Sequence, residues 1–265
     1  MDRVTSASRV EDVLTEKQRS ITERVLAEEE TRREHLVVYL SGAHAYGFPS
    51  PDSDLDLKAI HIARTADLLG LDALTSTFDR AEVIDDVEID YTSNELAHAL
   101  SGILGGNGNF LERVLGRMVA HTSPLLEELR PIARRALSRR VHRHYRGFAQ
   151  SQLRAVEKKP TAKKLLYVLR TTLTGVHLLQ AGEMEPDLTR LVDLYPVRDV
   201  ELLIERKRAG ERVPLELGWL DVWRPRVEAL FARLDETHAT SMLPEAPPNE
   251  PEIRAWLLEV RRSRF

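Results

Sequence analysis

The feature that most constrains the fold of this chain is the stretch LSGAHAYGFPSPDSDLDL (40–57), in which two apolar segments enclose a turn rich in glycine, proline and aspartate. The segment before the turn, HLVVYLS (35–41), is short, apolar and rich in β-branched residues, which predicts a strand. The segment after it, DLDLKAIHI (54–62), alternates and predicts a second strand whose polar face carries Asp54 and Asp56. Carboxylates are costly to bury without a partner. The stretch is therefore either an acidic surface loop or a site that binds something positive.

Strand signals are confined to roughly the first 120 residues of the chain. Before the first strand, residues 9–34 have apolar positions at helical spacing. Thr92 and Glu95 have the spacing of a capping box, which predicts the start of a second helix. After about residue 120 the periodic segments all have helical spacing. We therefore expect an α+β protein, with a small mixed-sheet domain at residues 1–120 and an all-helical domain at residues 121–265.

A third carboxylate is expected on a neighbouring strand, because DVEIDYT (86–92) also alternates and has Asp90 on its polar face. Residues two apart on a strand point to the same side and lie roughly 6.6 Å apart, so Asp54 and Asp56 project together. Three carboxylates placed in this way can bridge two divalent ions about 3.5–4 Å apart, as in phosphoryl-transfer enzymes. Magnesium prefers such oxygen ligands and completes its shell with water and phosphates. A D-x-D pair alone is common at solvated strand ends, so the assignment depends on the longer pattern.

Composition excludes several other kinds of site. The 265-residue chain has no cysteine, which excludes disulfides and thiolate metal sites. No apolar run approaches the roughly 20 residues of a membrane span, and the first residues lack the apolar core of a signal peptide. We therefore expect a soluble cytoplasmic protein that contacts no membrane. Gly42 and Gly47 have Walker-like spacing, but Phe48 and Pro49 follow where a P-loop has lysine and serine or threonine, so a P-loop is not expected.

The charge of the chain is unevenly distributed, although its net value is only −4. Between Arg130 and Lys164 the sequence has twelve lysines and arginines against one acidic residue, Glu157. Such a surface would attract polyphosphate or nucleic acid. A charge run on long helices is also common as a solvated face, so both interpretations stay open.

The order of these elements resembles the DNA polymerase beta superfamily of nucleotidyltransferases: a strand, an S-G-x-x-x-x-G turn, a strand that opens with S-D-x-D, and a later carboxylate strand. More narrowly, SGAHAYGFPSPDSDLDLKAI (41–60) is similar to a predicted nucleotidyltransferase family linked to RNA-repair ligases. Members of that family have a pattern close to G-S-x-A-[YW]-G-x-x-x-x-x-S-D-x-D. The segments DYTSNELAHALSGILGGNGNFLERVL (90–115) and AKKLLYVLRTTL (162–173) are similar to further parts of it. The resemblance covers about residues 36–195.

The resemblance implies a reaction and the residues that perform it. The reaction is Mg²⁺-dependent transfer of a nucleoside monophosphate from an NTP, ATP being the first choice, to a hydroxyl group, with release of pyrophosphate. Two Mg²⁺ ions, for which Mn²⁺ can substitute, would be held by Asp54, Asp56 and Asp90, which are also the expected catalytic residues. Asp90 would complete the metal site that activates the acceptor hydroxyl and would take its proton.

The residues expected to bind nucleotide lie in the glycine turn and in the segment 162–173. They are Ser41, Gly42, Ala43, His44, Tyr46, Lys164 and Arg170. His44 and Tyr46 have a purely structural role as an alternative, and Arg170 has the alternative of an ion pair with Glu112. The superfamily usually has serine or glycine where this chain has Ala43, which predicts weaker nucleotide binding with the metal site retained.

The acceptor is not determined by these motifs. An RNA 3′ end is the first choice, from the resemblance and from the basic run between Arg130 and Lys164. Adenylylation of a protein or of a small-molecule hydroxyl is the alternative within the same chemistry. A protein of a different class, a non-catalytic module that binds nucleotide or RNA, is favoured by Ala43 and disfavoured by the three intact aspartates.

Overall fold

A five-stranded mixed sheet organises the first half of the chain in the computed structural model, which describes residues 10–71, 75–210, 213–215 and 218–265. The strands, in chain order, are β1 Glu34–Leu40, β2 Leu55–Ile62, β3 Thr77–Ile84, β4 Val87–Glu95 and β5 Val119–Thr122. Their order across the sheet is β3-β4-β2-β1-β5. The central pair, β2 and β4, is parallel, and the other neighbouring pairs are antiparallel.

Helices cover the sheet and make up the rest of the described chain. They are α1 Val10–Val13, α2 Glu16–Glu30, α3 Gly42–Ala45, α4 Thr65–Leu68, α5 Leu96–Leu104, α6 Gly108–Leu115, α7 Pro124–Arg135, α8 Val141–Lys158, α9 Ala162–Ala181, α10 Leu188–Leu194, α11 Val200–Arg208, α12 Trp219–Thr240 and α13 Glu250–Arg262. The predicted α+β class, a mixed sheet followed by helices, is confirmed. The boundary predicted at residue 120 falls within β5, and the division into two domains stays a prediction.

The register of the central strands places the predicted carboxylates in one row. Parallel pairing of β2 with β4 sets Asp56 opposite Asp90 and Lys58 opposite Thr92. On the other side of β2, Tyr39 of β1 lies opposite Lys58. Because the apolar side chains of β2 are buried on the opposite face, a shift of one residue would expose them, and this fixes the register.

Two helix boundaries differ from the predicted ones. The helix expected at residues 9–34 is divided, because Thr15 and Gln18 form a capping box that begins a new helix, α2. The helix expected to begin with a capping box at Thr92 begins later, at Leu96, because β4 continues to Glu95. The Glu95 side chain itself accepts a hydrogen bond of 2.7 Å from the backbone N–H of Ala97.

The core of the helical half is α9, which is buried along most of its 20 residues and packs against α8 and α12. Its Arg170 reaches back to the sheet half, where its Nη1 lies 3.2 Å from Oε2 of Glu112 on α6. The guanidinium carbon of Arg170 lies 3.7 Å from the ring centroid of Tyr46, at the end of the glycine turn. All three residues are buried. This ion pair, buried beneath the turn, therefore connects α9, α6 and the turn.

No helix within the described ranges is both long and apolar enough to cross a membrane.

Candidate active site

Two of the predicted carboxylates meet on the sheet, with a lysine between them. Lys58 Nζ lies 3.8 Å from Oδ1 of Asp56 and 2.9 Å from Oδ2 of Asp90. It also lies 3.4 Å from the carbonyl oxygen of Asp90 and 3.4 Å from Oγ1 of Thr92. Asp54 directly precedes β2 and is partly exposed. The positive charge of Lys58 therefore offsets the negative charges of Asp56 and Asp90, which the β2–β4 register brings together.

The fold strongly perturbs the ionisation of Asp56. Burial raises its pKa from 3.8 to about 6; Lys58 opposes this rise, and the negative charges of Asp90 and Asp54 add to it. The side chain of Asp56 is 25% exposed, against 54% for Asp90. A carboxylate in this position gains from added positive charge, because a cation stabilises its charged form.

The glycine turn lies directly against Asp56. The backbone N–H of Ser41 donates a hydrogen bond of 2.8 Å to the carbonyl oxygen of Asp56. Gly42 follows with a φ of +68°, and a Cβ built on it would lie 1.9 Å from Oδ2 of Asp56. Glycine adopts this backbone angle without strain, and it has no Cβ to clash with the carboxylate. Oδ2 of Asp56 therefore occupies the space that a side chain at position 42 would need.

Three of the predicted nucleotide-binding residues of this turn have side chains that contact neighbouring elements of the protein. Ser41 Oγ lies 3.0 Å from the hydroxyl of Tyr46 and 3.5 Å from Oε1 of Glu112. The ring of Tyr46 packs edge-on against Tyr167 at 5.5 Å and beneath Arg170. His44 is buried with its Nε2 3.4 Å from Nε2 of Gln18. These contacts support the turn from within.

His44 is uncharged at neutral pH in this environment. Burial, together with the positive charge of Lys207, lowers its pKa from 6.5 to about 4. Ala43, the next residue before it, is also buried. The roles predicted for Ser41, Ala43, His44 and Tyr46 in nucleotide binding stay predictions.

The two lysines at the start of α9 point in different directions. Lys164 Nζ donates hydrogen bonds of 3.1 and 3.2 Å to the carbonyl oxygens of Ala155 and Lys159, at the C-terminal end of α8. Lysine commonly binds helix ends in this way. Lys163 instead lies near the carboxylates, and its charge lowers the pKa of Asp56. The triphosphate contact predicted for Lys164 stays a prediction, and Lys163 is the better-placed cation.

Sequence reasoning did not include Lys163 in the site, although a signal for it exists. Lys163, Tyr167 and Arg170 have the spacing i, i+4, i+7, which places them on one helix face. Lys163 Nζ lies 5.9 Å from the ring centroid of Tyr167, and Tyr167 in turn packs against the glycine turn. Lys164 falls about 100° away around the helix, on the face toward α8.

A second residue that sequence reasoning missed is Lys207 of α11, whose side chain is fully buried. Its Nζ donates hydrogen bonds of 2.5 and 3.0 Å to Oγ of Ser50 and of Ser53. These serines close a tight turn, since the N–H of Ser53 donates to the carbonyl oxygen of Ser50 at 3.0 Å. Ser53 directly precedes Asp54, so Lys207 holds the segment that carries the first aspartate. Burial lowers the pKa of Lys207 to about 8, and nearby Lys163 lowers it further.

The residues present fit a hard divalent cation in donor chemistry. Asp54, Asp56 and Asp90 offer only oxygen atoms, the ligands that Mg²⁺ prefers. Within the described ranges, no three histidine or acidic side chains are already arranged to hold a metal ion. A cation held by Asp56 and Asp90 would compete with Lys58 for their oxygens.

Comparison with known proteins identifies similarity over almost the whole chain. The sequence pattern of the RNA repair pathway DNA polymerase beta family matches residues 18–259. An uncharacterised protein of Methanocaldococcus jannaschii is 30% identical over 226 residues, which is 83% of this chain and 91% of that protein. The uncharacterised protein YcgL of Bacillus subtilis is 27% identical over 254 residues, 92% of this chain and 96% of that protein.

A solved structure of a nucleotidyltransferase-like protein from Exiguobacterium sibiricum is also similar to this chain. The alignment covers 93% of this chain and 80% of that protein's chain. Its sequence identity is 11% and its TM-score is 0.33.

Replacing Asp56 with asparagine should stabilise the protein in the absence of divalent cations. The folded-state pKa of Asp56 is raised to about 6, so its carboxylate destabilises the fold above that pH and has no such effect below the unfolded value near 4. We expect Asp56→Asn to increase the free energy of unfolding by about 1–2 kcal/mol at pH 8, and by progressively less from pH 6 to pH 4. Urea denaturation in EDTA across this range measures the change. A loss of stability at pH 8 would contradict the burial argument.

Replacing Lys207 with methionine should loosen the Ser50–Ser53 turn. Hydrogen bonds to charged groups contribute about 1.5–3 kcal/mol, so their loss should speed exchange of the turn amides roughly tenfold or more. Hydrogen–deuterium exchange of peptides covering residues 46–57 measures this, with Lys158→Met on the exposed face of α8 as the control. Equal exchange in Lys207→Met and the control would show that Lys207 does not hold the turn.

Proposed function

This chain belongs to the RNA repair pathway DNA polymerase beta family, and from that premise we propose that it is an enzyme that transfers a nucleoside monophosphate from an NTP to a hydroxyl group. ATP is the first choice of donor, and pyrophosphate is released. The single observation that carries the proposal is the position of Asp56. It lies in one row with Asp90 and directly against the turn at Gly42.

Two Mg²⁺ ions, or Mn²⁺ in their place, would be held by Asp54, Asp56 and Asp90, and when bound they neutralise phosphate charge and lower the pKa of a bound hydroxyl. The chain's own residues orient the reactants. Asp90, whose side chain is 54% exposed, would accept the proton of an incoming hydroxyl. Lys163 and the backbone N–H groups of the glycine turn would bind phosphate oxygens. Ala43 has no hydroxyl group to donate to a phosphate, so the backbone N–H groups of the turn and Lys163 would make the phosphate contacts.

An RNA 3′ hydroxyl is the acceptor that we propose. The description of the family names an RNA repair pathway, and the basic run between Arg130 and Lys164 adds a surface that attracts phosphates. A protein or small-molecule hydroxyl is the alternative acceptor. A non-catalytic nucleotide-binding module is a second candidate function, favoured by Ala43 and by the contact of Lys58 with both aspartates.

The proposal predicts that label from an α-³²P-labelled NTP appears in RNA. Each of the four NTPs is incubated with Mg²⁺ or Mn²⁺ and a short single-stranded RNA that has a 3′ hydroxyl. The same RNA with a 3′ phosphate should stay unlabelled. Asp56→Asn and Asp90→Asn should each lower the rate by at least about 100-fold, a typical loss when one transition-state contact is removed.

Asp86→Asn is the matched control, because Asp86 lies in the β3–β4 turn at a φ of +63° that asparagine tolerates. It should retain the wild-type rate. Label in protein or in a small molecule would keep the reaction class and change the acceptor. NTP binding without any transfer would leave the non-catalytic module as the function, and full activity in Asp56→Asn would contradict the site.

A further inference from the structure

One face of α8 exposes positive charge along its whole length. The exposed positions lie three or four residues apart and so form a single stripe: Arg143, Gly147, Ser151, Arg154 and Lys158. The opposite face packs into the helical core through Tyr145 and Ala149. With a rise of about 1.5 Å per residue, the stripe extends over about 22 Å of this helix.

Among the described residues, the cations of the stripe have no ion pairs with carboxylates. Four other cations of the basic run are matched by carboxylates: Arg130 by Glu127, Arg135 by Glu252, Arg139 by Glu245 and Arg146 by Asp235. Within the described part of the chain, Arg143, Arg154 and Lys158 have no carboxylate within ion-pair distance. The stripe therefore presents uncompensated charge.

Aromatic rings flank the stripe on the side of the candidate active site. The ring centroids of His144 and Phe148 lie 5.7 Å apart at an interplanar angle of 31°. His144 Cδ2 would lie 2.7 Å from a Cβ built on Gly108, so this flank faces the start of α6. The neighbouring residue Asn109 lines a cavity of about 130 Å³ together with Lys58. His144 therefore lies next to α6, whose Asn109 lines the cavity that contains Lys58.

Gly147 leaves the middle of the stripe without a side chain. A Cβ built there would meet no heavy atom within 4 Å, so packing within the described structure does not require glycine. Glycine inside a helix lowers helix propensity relative to alanine. An open glycine between an aromatic flank and arginines instead allows another molecule to approach the helix backbone closely.

We propose that this face of α8 binds single-stranded RNA, the strand whose end is the acceptor in the proposed function on which this inference rests. Phosphates would contact Arg143, Arg154 and Lys158, and bases would stack on Phe148 and His144. Flexible single strands are bound by this combination of cations and aromatic rings, because every base has a face that can stack. The other end of α8 joins the start of α9, where Lys163 lies near Asp56. The strand would therefore follow α8 alongside the active site.

The charge contribution is tested by fluorescence anisotropy with a 5′-fluorescein-labelled oligoadenylate of about 12 nucleotides at several KCl concentrations. The variant Arg143→Glu/Arg154→Glu/Lys158→Glu should bind at least tenfold more weakly. The slope of log K against log salt should fall by about 2, since each phosphate neutralised on a single strand contributes about 0.7.

The matched control is Arg24→Glu/Arg254→Glu/Arg262→Glu, which changes the net charge by the same amount. These arginines are 61%, 70% and 72% exposed and lie on α2 and α13. The control should keep the wild-type affinity within roughly twofold. Equal loss in both variants would show a nonspecific effect of net charge and would overturn the proposal.

The stacking contribution is tested by Phe148→Ala, with Phe148→Tyr as the variant that keeps the ring. Stacking of one base contributes about a fivefold or larger factor in affinity, so the alanine variant should lose at least that much and the tyrosine variant should bind as the wild type does. Duplex RNA should bind more weakly than the single strand. Equal binding of duplex, or equal affinity of the two Phe148 variants, would overturn the stacking of bases on α8.

The binding assay is independent of catalysis, so this inference and the proposed function fail in different ways. RNA binding that depends on α8 without any nucleotide transfer would retain the surface and refute the reaction. Transfer to RNA with a KM unchanged by the triple charge reversal would retain the reaction and refute the surface.

Discussion

The candidate site depends on the close approach of the glycine turn to Asp56. The backbone hydrogen bond from Ser41 to Asp56 holds the end of β1 against the start of β2. The absence of a Cβ at Gly42 allows the turn to lie against the carboxylate, whose Oδ2 occupies the space that a side chain would need. Burial raises the pKa of Asp56, so a nearby positive charge stabilises its ionised form. Lys58 supplies part of that charge.

Residues of the helical half contact the glycine turn and stabilise its position. Arg170 lies over Tyr46, and the N–H of Leu188 donates a hydrogen bond of 3.0 Å to the carbonyl oxygen of Tyr46. Further along, Arg208 donates to the carbonyl oxygen of Gly47 at 3.2 Å, and Lys207 binds the Ser50–Ser53 turn. The segment between β1 and β2 is therefore held by residues of α9, α11 and the start of α10 at Tyr46, Gly47 and the Ser50–Ser53 turn. The sheet supplies the aspartates, and the helices determine where the connecting turns lie.

Local pattern was sufficient to predict the β1–turn–β2 unit and the shared face of its charged residues. The alternation of polar and apolar residues predicted the two faces of β2, and the glycines predicted the position of the turn. The edge strand β3 was not predicted, because most of its side chains are exposed and its pattern lacks a buried face. The continuation of β4 to Glu95 was also missed, since a capping-box pattern at Thr92 fits a helix start equally well.

Long-range partners could not be predicted from local pattern. Lys207 binds Ser50 across 157 residues of sequence, and only the packing of α11 against the turn brings them together. The ion pair of Arg170 with Glu112 was considered as an alternative to a triphosphate contact, and the structure contains that pair. The choice between Lys163 and Lys164 depends on the rotation of α9 about its axis. One residue of rotation moves a lysine from the carboxylates to the end of α8.

The measurement that tests this account most directly is nucleotide binding by a variant with a side chain at position 42, against Asp56. Isothermal titration with α,β-methylene ATP and Mg²⁺ compares the wild type, Gly42→Ala and Gly182→Ala. Gly182 has a φ of +69°, close to that of Gly42, but its Cβ would meet only Leu243 Cδ2 at 3.9 Å, so it isolates backbone strain. We predict Mg²⁺-dependent binding by the wild type and by Gly182→Ala, and affinity at least roughly tenfold weaker for folded Gly42→Ala. Equal affinity in Gly42→Ala and Gly182→Ala would contradict the placement of the nucleotide beside Asp56.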